Sequence, residues 1–506
     1  MITTLTELIA AHNGDRLAVG APDREWMTYD GLRDLGTTVS SQLRTFGIGA
    51  KDRVAIVLQN GPDMATAFIT IAQSATTAPL NPSYREEEFA FYLDDLKAKA
   101  LVVEDGYEGP ALAAGQSLGL QILRVHPKTE AGNFSLSQDG EGTIEAAKAE
   151  TPTEDDIALI LHTSGTTSRP KIVPLLQSNV SASAQNIAKS LSLTSDDRCL
   201  NVMPLFHIHG LVAAVSATFA AGGSIWCAPG FDALRFFSWM KEATPTWYTA
   251  VPTMHQAILS RAGRNKETID AVPLRFLRSS SASLPAQVMQ ELQKTFGAPV
   301  VEAYGMTEAA HQMCCNPLNK QKPGAVGVAA GPEVAIAHEV ENQIVDGMGE
   351  VVISGPNVTP GYESNPKANE ESFFMADGKR WFRTGDRGSF DADGFLELTG
   401  RLKEIINRGG EKVSPLEVDG VLMDHPAIQQ VVTFALPHPK LGEEVAAAVV
   451  LKDGEEVDER SIRTFAAERM ADFKVPKKVV IMDEIPKGAT GKMQRIGMAE
   501  KLGLVS

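Results

Sequence analysis

Ile157-Ala158-Leu159-Ile160-Leu161-His162-Thr163-Ser164-Gly165-Thr166-Thr167-Ser168-Arg169-Pro170-Lys171 opens on an unbroken apolar run that reads as a buried strand. The strand leads into a loop with five hydroxyl side chains around one glycine, closed by an arginine and a lysine. Such a loop can offer backbone N–H groups, hydroxyls and two cations to a phosphate chain. It is not the GxxxxGK[ST] loop, because no glycine precedes the lysine and no helix-opening GK[ST] is present. Phosphate binding outside the common kinase or NTPase arrangement is expected.

On either side, short apolar runs alternate with amphipathic, alanine-rich segments. Val54 to Leu58 reads as a strand, Asn60-Gly61-Pro62 as a turn, and Asp63 to Ser74 as a helix. Ala100 to Val103, Leu120 to Leu123, Ser224 to Trp226 and Trp247 to Val251 are further strands, the last broken by Pro252. Val180 to Lys189 reads as a helix, and Leu211 to Ala221 is a long apolar segment before a Gly222-Gly223 turn. Asn133 to Glu150, with scattered glycine, glutamate and serine, is expected to be an exposed loop. The alternation predicts a layered α/β body with a largely parallel sheet.

A boundary is expected near Gly400-Arg401-Leu402-Lys403, just after the alternating strand Gly394 to Leu398. Downstream come a helix start at Pro415, strands Val431 to Ala435 and Val445 to Leu451, and a helix from Glu459 to Arg469. These elements suffice for a small α+β domain. The expected division is 1–399, a joint at 400–404, and 405–506. No repeat of 20 to 50 residues is present.

A chain of 506 residues is too long for one hydrophobic core. Its net charge of −16 argues against nonspecific nucleic-acid or anionic-membrane binding, so an anionic substrate must be held by local cations. No apolar run has membrane-spanning length. The N-terminal Met1-Ile2-Thr3-Thr4 lacks a basic-then-apolar leader, and four cysteines with no CxxC pair form no disulfide framework. Adjacent Cys314 and Cys315 read as two buried small residues. A cytoplasmic monomer or homodimer is expected.

Four more islands carry chemistry-bearing residues. Glu302-Ala303-Tyr304-Gly305-Met306-Thr307-Glu308 ends a strand with an aromatic that could stack on a base and a carboxylate that could hold Mg²⁺. Trp381 to Asp386 sets an aspartate where it could accept from two ribose hydroxyls. Arg401 and Lys403 sit at the joint, and Pro486 to Lys492 is a glycine-containing loop with a lysine at its tip. Taken singly, each is an ordinary strand end, turn or solvated loop.

Taken together, in this order, they resemble the adenylate-forming acyl-CoA synthetases. The resemblance spans nearly the whole chain: the loop at 163–171, YGMTE at 304–308, FRTGD at 382–386, GRLKEIINRGGEKVSPLEVD from Gly400, and PKGATGKMQR from Pro486. It implies a large α/β N-terminal domain with a barrel-like portion and a small mobile C-terminal domain. ATP, Mg²⁺ and coenzyme A are the implied co-substrates and ion. By resemblance, Thr163, Ser164, Gly165, Thr166, Thr167, Arg169 and Lys171 grip the β- and γ-phosphates. Tyr304 stacks on adenine against Ser281-Ala282-Ser283, Thr307 meets the α-phosphate, and Glu308 helps bind Mg²⁺. Asp386 and Arg401 hold the ribose, Lys403 is the hinge, and Lys492 is the catalytic lysine. Gly409, Gly410 and Glu411 face the coenzyme A tunnel. Ile172 departs from the family's glycine at that position, and a β-branched residue there excludes a backbone with positive φ.

The acid pocket is expected to include His207 and His209, Ser279 to Ser281, and Ala309 to Met313. Donors buried against methylene groups go unsatisfied, so this polar set favours a short acid with a second polar group. The stretches PLFHIHGL, SSSASLP and YGMTEAAHQM resemble those of oxalyl-CoA synthetases. That resemblance assigns the distal carboxylate to Ser280 and His311, with His209 nearby as a catalytic-site residue. Malonyl-CoA synthetases carry arginine just before YGMTE, where this chain has Ala303. A HxH pair alone is weak evidence for zinc. Other small, aromatic or medium-chain acids, delivery to a carrier protein, and a nucleotide-binding regulator without turnover are the alternatives.

Overall fold

The computed structural model describes residues 2–140, 145–163, 170–486 and 493–505. Two large sheets form the body. The first runs, by strand, Phe134–Gln138, Gln121–Pro127, Ala100–Glu104, Arg53–Val57, Thr76–Pro79, Ile157–Thr163, Lys171–Leu176. Its interior strands pair in parallel, and its two edges are antiparallel. The second sheet has nine strands, with Ser224–Cys227, Arg198–Asn201, Trp247–Ala250, Phe276–Ser280 and Val300–Met306 parallel at its centre. The expected parallel architecture holds.

Burial along single strands shows why the layers stack. Val54 and Ile56 point into a core shared with Ile225 and Phe276 of the other sheet, whereas Ala55 and Val57 face helix Glu86–Leu96. Leu277 and Val300 face a third cluster, with Phe236, Ile258 and Val288. Helices Pro62–Ile71 and Gln177–Ser190 contribute Phe68 and Val180 to the middle layer. Strands buried on both faces need apolar runs, and this requirement made them legible.

Asn133 to Glu150 is a correction. Phe134–Gln138 is a strand, antiparallel to Gln121–Pro127, and its burial alternates from Phe134 to Leu136. The segment Leu211 to Ala221 becomes a π-helical turn, His209–Ser216, followed by the helix Ala217–Ala220. Among the described residues no helix is long and apolar enough to cross a membrane. All four cysteines are buried and free.

A curled antiparallel sheet built on Glu333–Ala337, Gly349–Ser354, Phe373–Ala376, Lys379–Phe390 and Leu396–Arg401 completes the body. Register shifts between Glu350 and Val352, and between Arg387 and Gly388, bend it. Pairing passes to another sheet across residues 402–405, and Ile406–Arg408 opens it. There Gly442–Leu451 is central, with Val445, Ala447 and Val449 on one face and Ala446, Ala448 and Val450 on the other. Helices Pro415–Met423 and Glu459–Ala467 cover the first face.

Candidate active site

The carboxyl ends of parallel strands are where α/β sheets hold ligands. Phe276–Ser280 and Val300–Met306 are adjacent, with Ser280 opposite Ala303, and end together. After the first comes Ser281, at φ 76, then exposed Ala282 and Ser283. After the second comes the single 3₁₀ turn Thr307–Ala309. Ser281-Ala282-Ser283, Tyr304 and Thr307 therefore share one rim.

The rim meets the curled sheet at Asp386. The Tyr304 hydroxyl donates to Asp386 Oδ2, and Arg401 Nε lies 3.3 Å from Oδ1. Burial pushes the Tyr304 phenol well above its ordinary pKa, so it stays a donor. The Arg401 side chain is 57% exposed, so that ion pair orders more than it stabilises. Asp386 keeps lone pairs for further donors. Its backbone is set by Thr384 Oγ1, which accepts from Asp386 N at 3.1 Å and donates to Val351 O at 2.7 Å. Arg383, largely but not fully buried, pairs with Glu350, whose other oxygen accepts from Gly385 N at 3.0 Å. Gly385 occupies φ 75, which its lack of a Cβ permits.

Glu308 is 6% exposed and accepts from the Tyr362 hydroxyl at Oε1, at 2.7 Å. Lys171 Nζ lies 4.2 Å from the centre of the same Tyr362 ring. The 359–363 segment clamps the strand Lys171–Leu176: Thr359 Oγ1 donates to Pro174 O at 2.7 Å and Glu363 N to Ile172 O at 3.1 Å. Thr359 N donates to Glu308 O at 2.7 Å, tying in the rim. Ile172 pairs with His162 in the strand, buried and without positive φ, so the departure from glycine is absorbed as core packing. Thr163 and Lys171 face each other across the loop mouth. Ser164, Gly165, Thr166, Thr167 and Arg169 lie outside the described residues, as does Lys492.

The residues expected to line an acid pocket converge, with Ser281 in the place expected for Ser280. His209, at the head of the π-helical turn, has Nδ1 3.0 Å from Ser281 Oγ and Nε2 2.6 Å from Thr249 Oγ1. The His209 and His311 rings lie 5.0 Å apart. Ser280 is buried and donates to Ala303 O at 2.7 Å, so Ser281, not Ser280, meets the histidine. His311 sits at φ 100 and Ala310 at φ 46, a strained pair held by surrounding bonds. Asn357 Nδ2 bonds Ala309 O at 2.8 Å and Gln312 O at 3.1 Å. Arg278, wholly buried, reaches His209 and His311 from the strand below.

Gly409 and Gly410 have φ 61 and 96 and join Ile406–Arg408 to Glu411–Val413 as a tight hairpin. Lys412 Nζ lies 2.6 Å from Glu339 Oε2, whose other oxygen meets Arg387 Nε at 2.7 Å. The two cations hold the Glu339 carboxyl below its usual range. Lys403 is exposed. Arg495 pairs with Asp419 at 2.6 Å and Glu404 at 3.5 Å, anchoring the chain just beyond Lys492.

Tyr362, Arg278 and Arg495 were not foreseen. An arginine inside the apolar strand run Phe276-Leu277-Arg278 was the available signal for one of them.

Comparison with known proteins places this geometry. The model of the AMP-binding enzyme family matches residues 7–363, and that of the AMP-binding enzyme C-terminal domain matches 417–492. The chain is 44% identical to a probable CoA ligase of Humulus lupulus, covering 99% of this chain and 96% of the relative. It is likewise 44% identical to an oxalate–CoA ligase of Arabidopsis thaliana, covering 98% and 97%. ATP-bound MatB from Rhodopseudomonas palustris superposes with a TM-score of 0.87 at 27% identity, over 99% of both chains. The chain belongs to the AMP-binding enzyme family and has the architecture of an AMP-forming acyl-CoA synthetase, an acid–thiol ligase.

Proposed function

We propose that this ligase activates oxalate, forming oxalyl-CoA through an oxalyl-adenylate with release of pyrophosphate and AMP. One observation carries the choice of acid: a wholly buried guanidinium and two buried imidazoles cluster beside Ser281. An alkyl or aryl chain beside them would offer this buried positive charge no acceptor, and Arg278 Nε already lacks one, at a cost on the order of 1–3 kcal/mol. The likeness to the Arabidopsis enzyme supports the same reading.

In the first half-reaction an oxalate oxygen attacks the α-phosphorus of ATP, and the bond to the β-phosphate oxygen breaks. The carboxylate is already ionised, so this step needs no general base. Tyr304, Asp386 and Arg401 hold the nucleoside, while Thr163 to Lys171 hold the outer phosphates. Thr307 contacts the α-phosphate. Lys492 enters from the small domain and stabilises charge gathering at the α-phosphate. Glu308 fits an Mg²⁺ site, because Oε2 is left to bind when Oε1 accepts from Tyr362, and Mg²⁺ typically takes one or two carboxylates plus phosphate oxygens. When bound, the ion would offset triphosphate charge.

In the second half-reaction the small domain (405–506) turns about Lys403 and presents the Gly409-Gly410-Glu411 hairpin to the coenzyme A tunnel. The thiol, losing its proton, attacks the adenylate carbonyl, and AMP leaves as the carbonyl–oxygen bond breaks. Oxalate-dependent exchange of labelled pyrophosphate into ATP tests the first half. Absence of exchange with oxalate, alongside exchange with other acids, would remove the assignment.

A further inference from the structure

Arg278 lies mid-strand in Phe276–Ser280, with parallel strands on both sides and no exposed surface. Phe276, on the same strand face, packs into the core between the two large sheets, and the guanidinium ends in that layer. Buried guanidinium groups ordinarily sit against a carboxylate. Among the described residues no carboxylate forms an ion pair with Arg278. The groups that favour its charge are the thiols of Cys315 and Cys199, which burial itself keeps protonated. Nε has no hydrogen-bond partner. Burial draws the Arg278 pKa down to about 10, which leaves it charged at neutral pH.

A guanidinium only donates. Nη1 lies 3.3 Å from His209 Nε2, and Nη2 lies 3.5 Å from His311 Nδ1. Each of those ring nitrogens must therefore present a lone pair. With Nε2 accepting from Arg278, Thr249 Oγ1, 2.6 Å from that nitrogen, is assigned as a second donor to it. The His209 proton is then on Nδ1, facing Ser281 Oγ at 3.0 Å, and the His311 proton is on Nε2. A second proton on either ring would set N–H against N–H. Nη2 also donates to Gln312 Oε1 at 3.2 Å, which fixes the fork from its far side.

We propose that Arg278 is the positioning residue of the acid pocket: it holds His209 and His311 as neutral N–H donors of fixed tautomer, and its uncompensated charge selects an acid with two carboxylates over one. The selection half rests on the oxalate reading above.

The test compares oxalate with oxamate, a monoanion of nearly the same shape, in wild type, Arg278→Lys and Arg278→Met. Melting temperature and the KM for ATP report whether each variant folds. The oxalate-to-oxamate ratio of kcat/KM should fall by roughly 10- to 100-fold in Arg278→Met and recover in part in Arg278→Lys. An equal loss for both acids, with the ratio intact, would make Arg278 a structural strut only and overturn the selection half. Neutron diffraction from the wild-type enzyme needs no variant. Deuterons on His209 Nδ1 and His311 Nε2 are expected, and a deuteron on His209 Nε2 or His311 Nδ1 would overturn the tautomer half. A wild type that ignores oxalate would defeat the function proposed above and the selection half with it, while the deuteron positions still decide the other.

Discussion

Tyr362 donates its phenolic hydrogen to Glu308 at 2.7 Å, although 54 residues separate them. The same ring lies against Lys171, so one aromatic side chain links the rim carboxylate to the end of the loop proposed to hold phosphate. Tyr362→Phe keeps the ring and removes the hydrogen bond. Oxalate-dependent pyrophosphate exchange should slow by about 10- to 100-fold, with thioester formation from supplied oxalyl-adenylate little changed. Equal loss in both assays would place Tyr362 outside adenylation.

Gly305 is where the His311 backbone crosses most closely. A Cβ there would meet His311 O at 2.0 Å, and no side-chain adjustment relieves contact with a backbone atom. Gly305→Ala should shift His311, raising the KM for oxalate and lowering stability by about 1–3 kcal/mol. Urea titration and steady-state kinetics read the two effects. An unchanged KM would separate His311 from acid binding.

Glu302 gives a pH signature away from the reacting groups. Burial raises its pKa from 4.5 to about 8, while Oε1 accepts from Leu284 N at 2.8 Å. Between those values the unfolded chain has lost a proton that the native state keeps. Its stabilising contribution is thus complete below about pH 4.5 and is lost as pH rises through 8. Glu302→Gln should match wild type near pH 5 and exceed it increasingly toward pH 8, by up to ~1.4 kcal/mol per pH unit. Parallel stability curves across that interval would contradict the assignment.

Lys492 and Lys403 should fail in opposite halves of the reaction. Lys492→Ala is expected to abolish pyrophosphate exchange while sparing thioester formation from supplied adenylate. Lys403→Pro, which restricts the joint, should do the reverse. Loss of both half-reactions in Lys492→Ala would remove its catalytic role.

Much of the body was legible because parallel strands buried on both faces require unbroken apolar runs, as in Val54 to Leu58 and Ile157 to Leu161. Phe134–Gln138 was missed, although Phe-Ser-Leu-Ser alternates, because the surrounding glycines and glutamates dominated the reading. The islands around Tyr304, Asp386 and Arg401 could be read as motifs, and the structure brings those three side chains into contact. Arg278 and Tyr362 could not be read that way. Their partners come from other strands and loops, so their roles arise from sheet register and chain crossings. Ser280 and Ser281 show the same limit: a φ of 76 at Ser281 breaks strand alternation and turns the second serine toward His209.

The most direct measurement is AMP release with ATP, Mg²⁺ and coenzyme A across oxalate, malonate, acetate, benzoate and octanoate. Oxalate should lead in kcat/KM by about 100-fold or more, with AMP release dependent on coenzyme A. A clear preference for octanoate or benzoate would contradict the account.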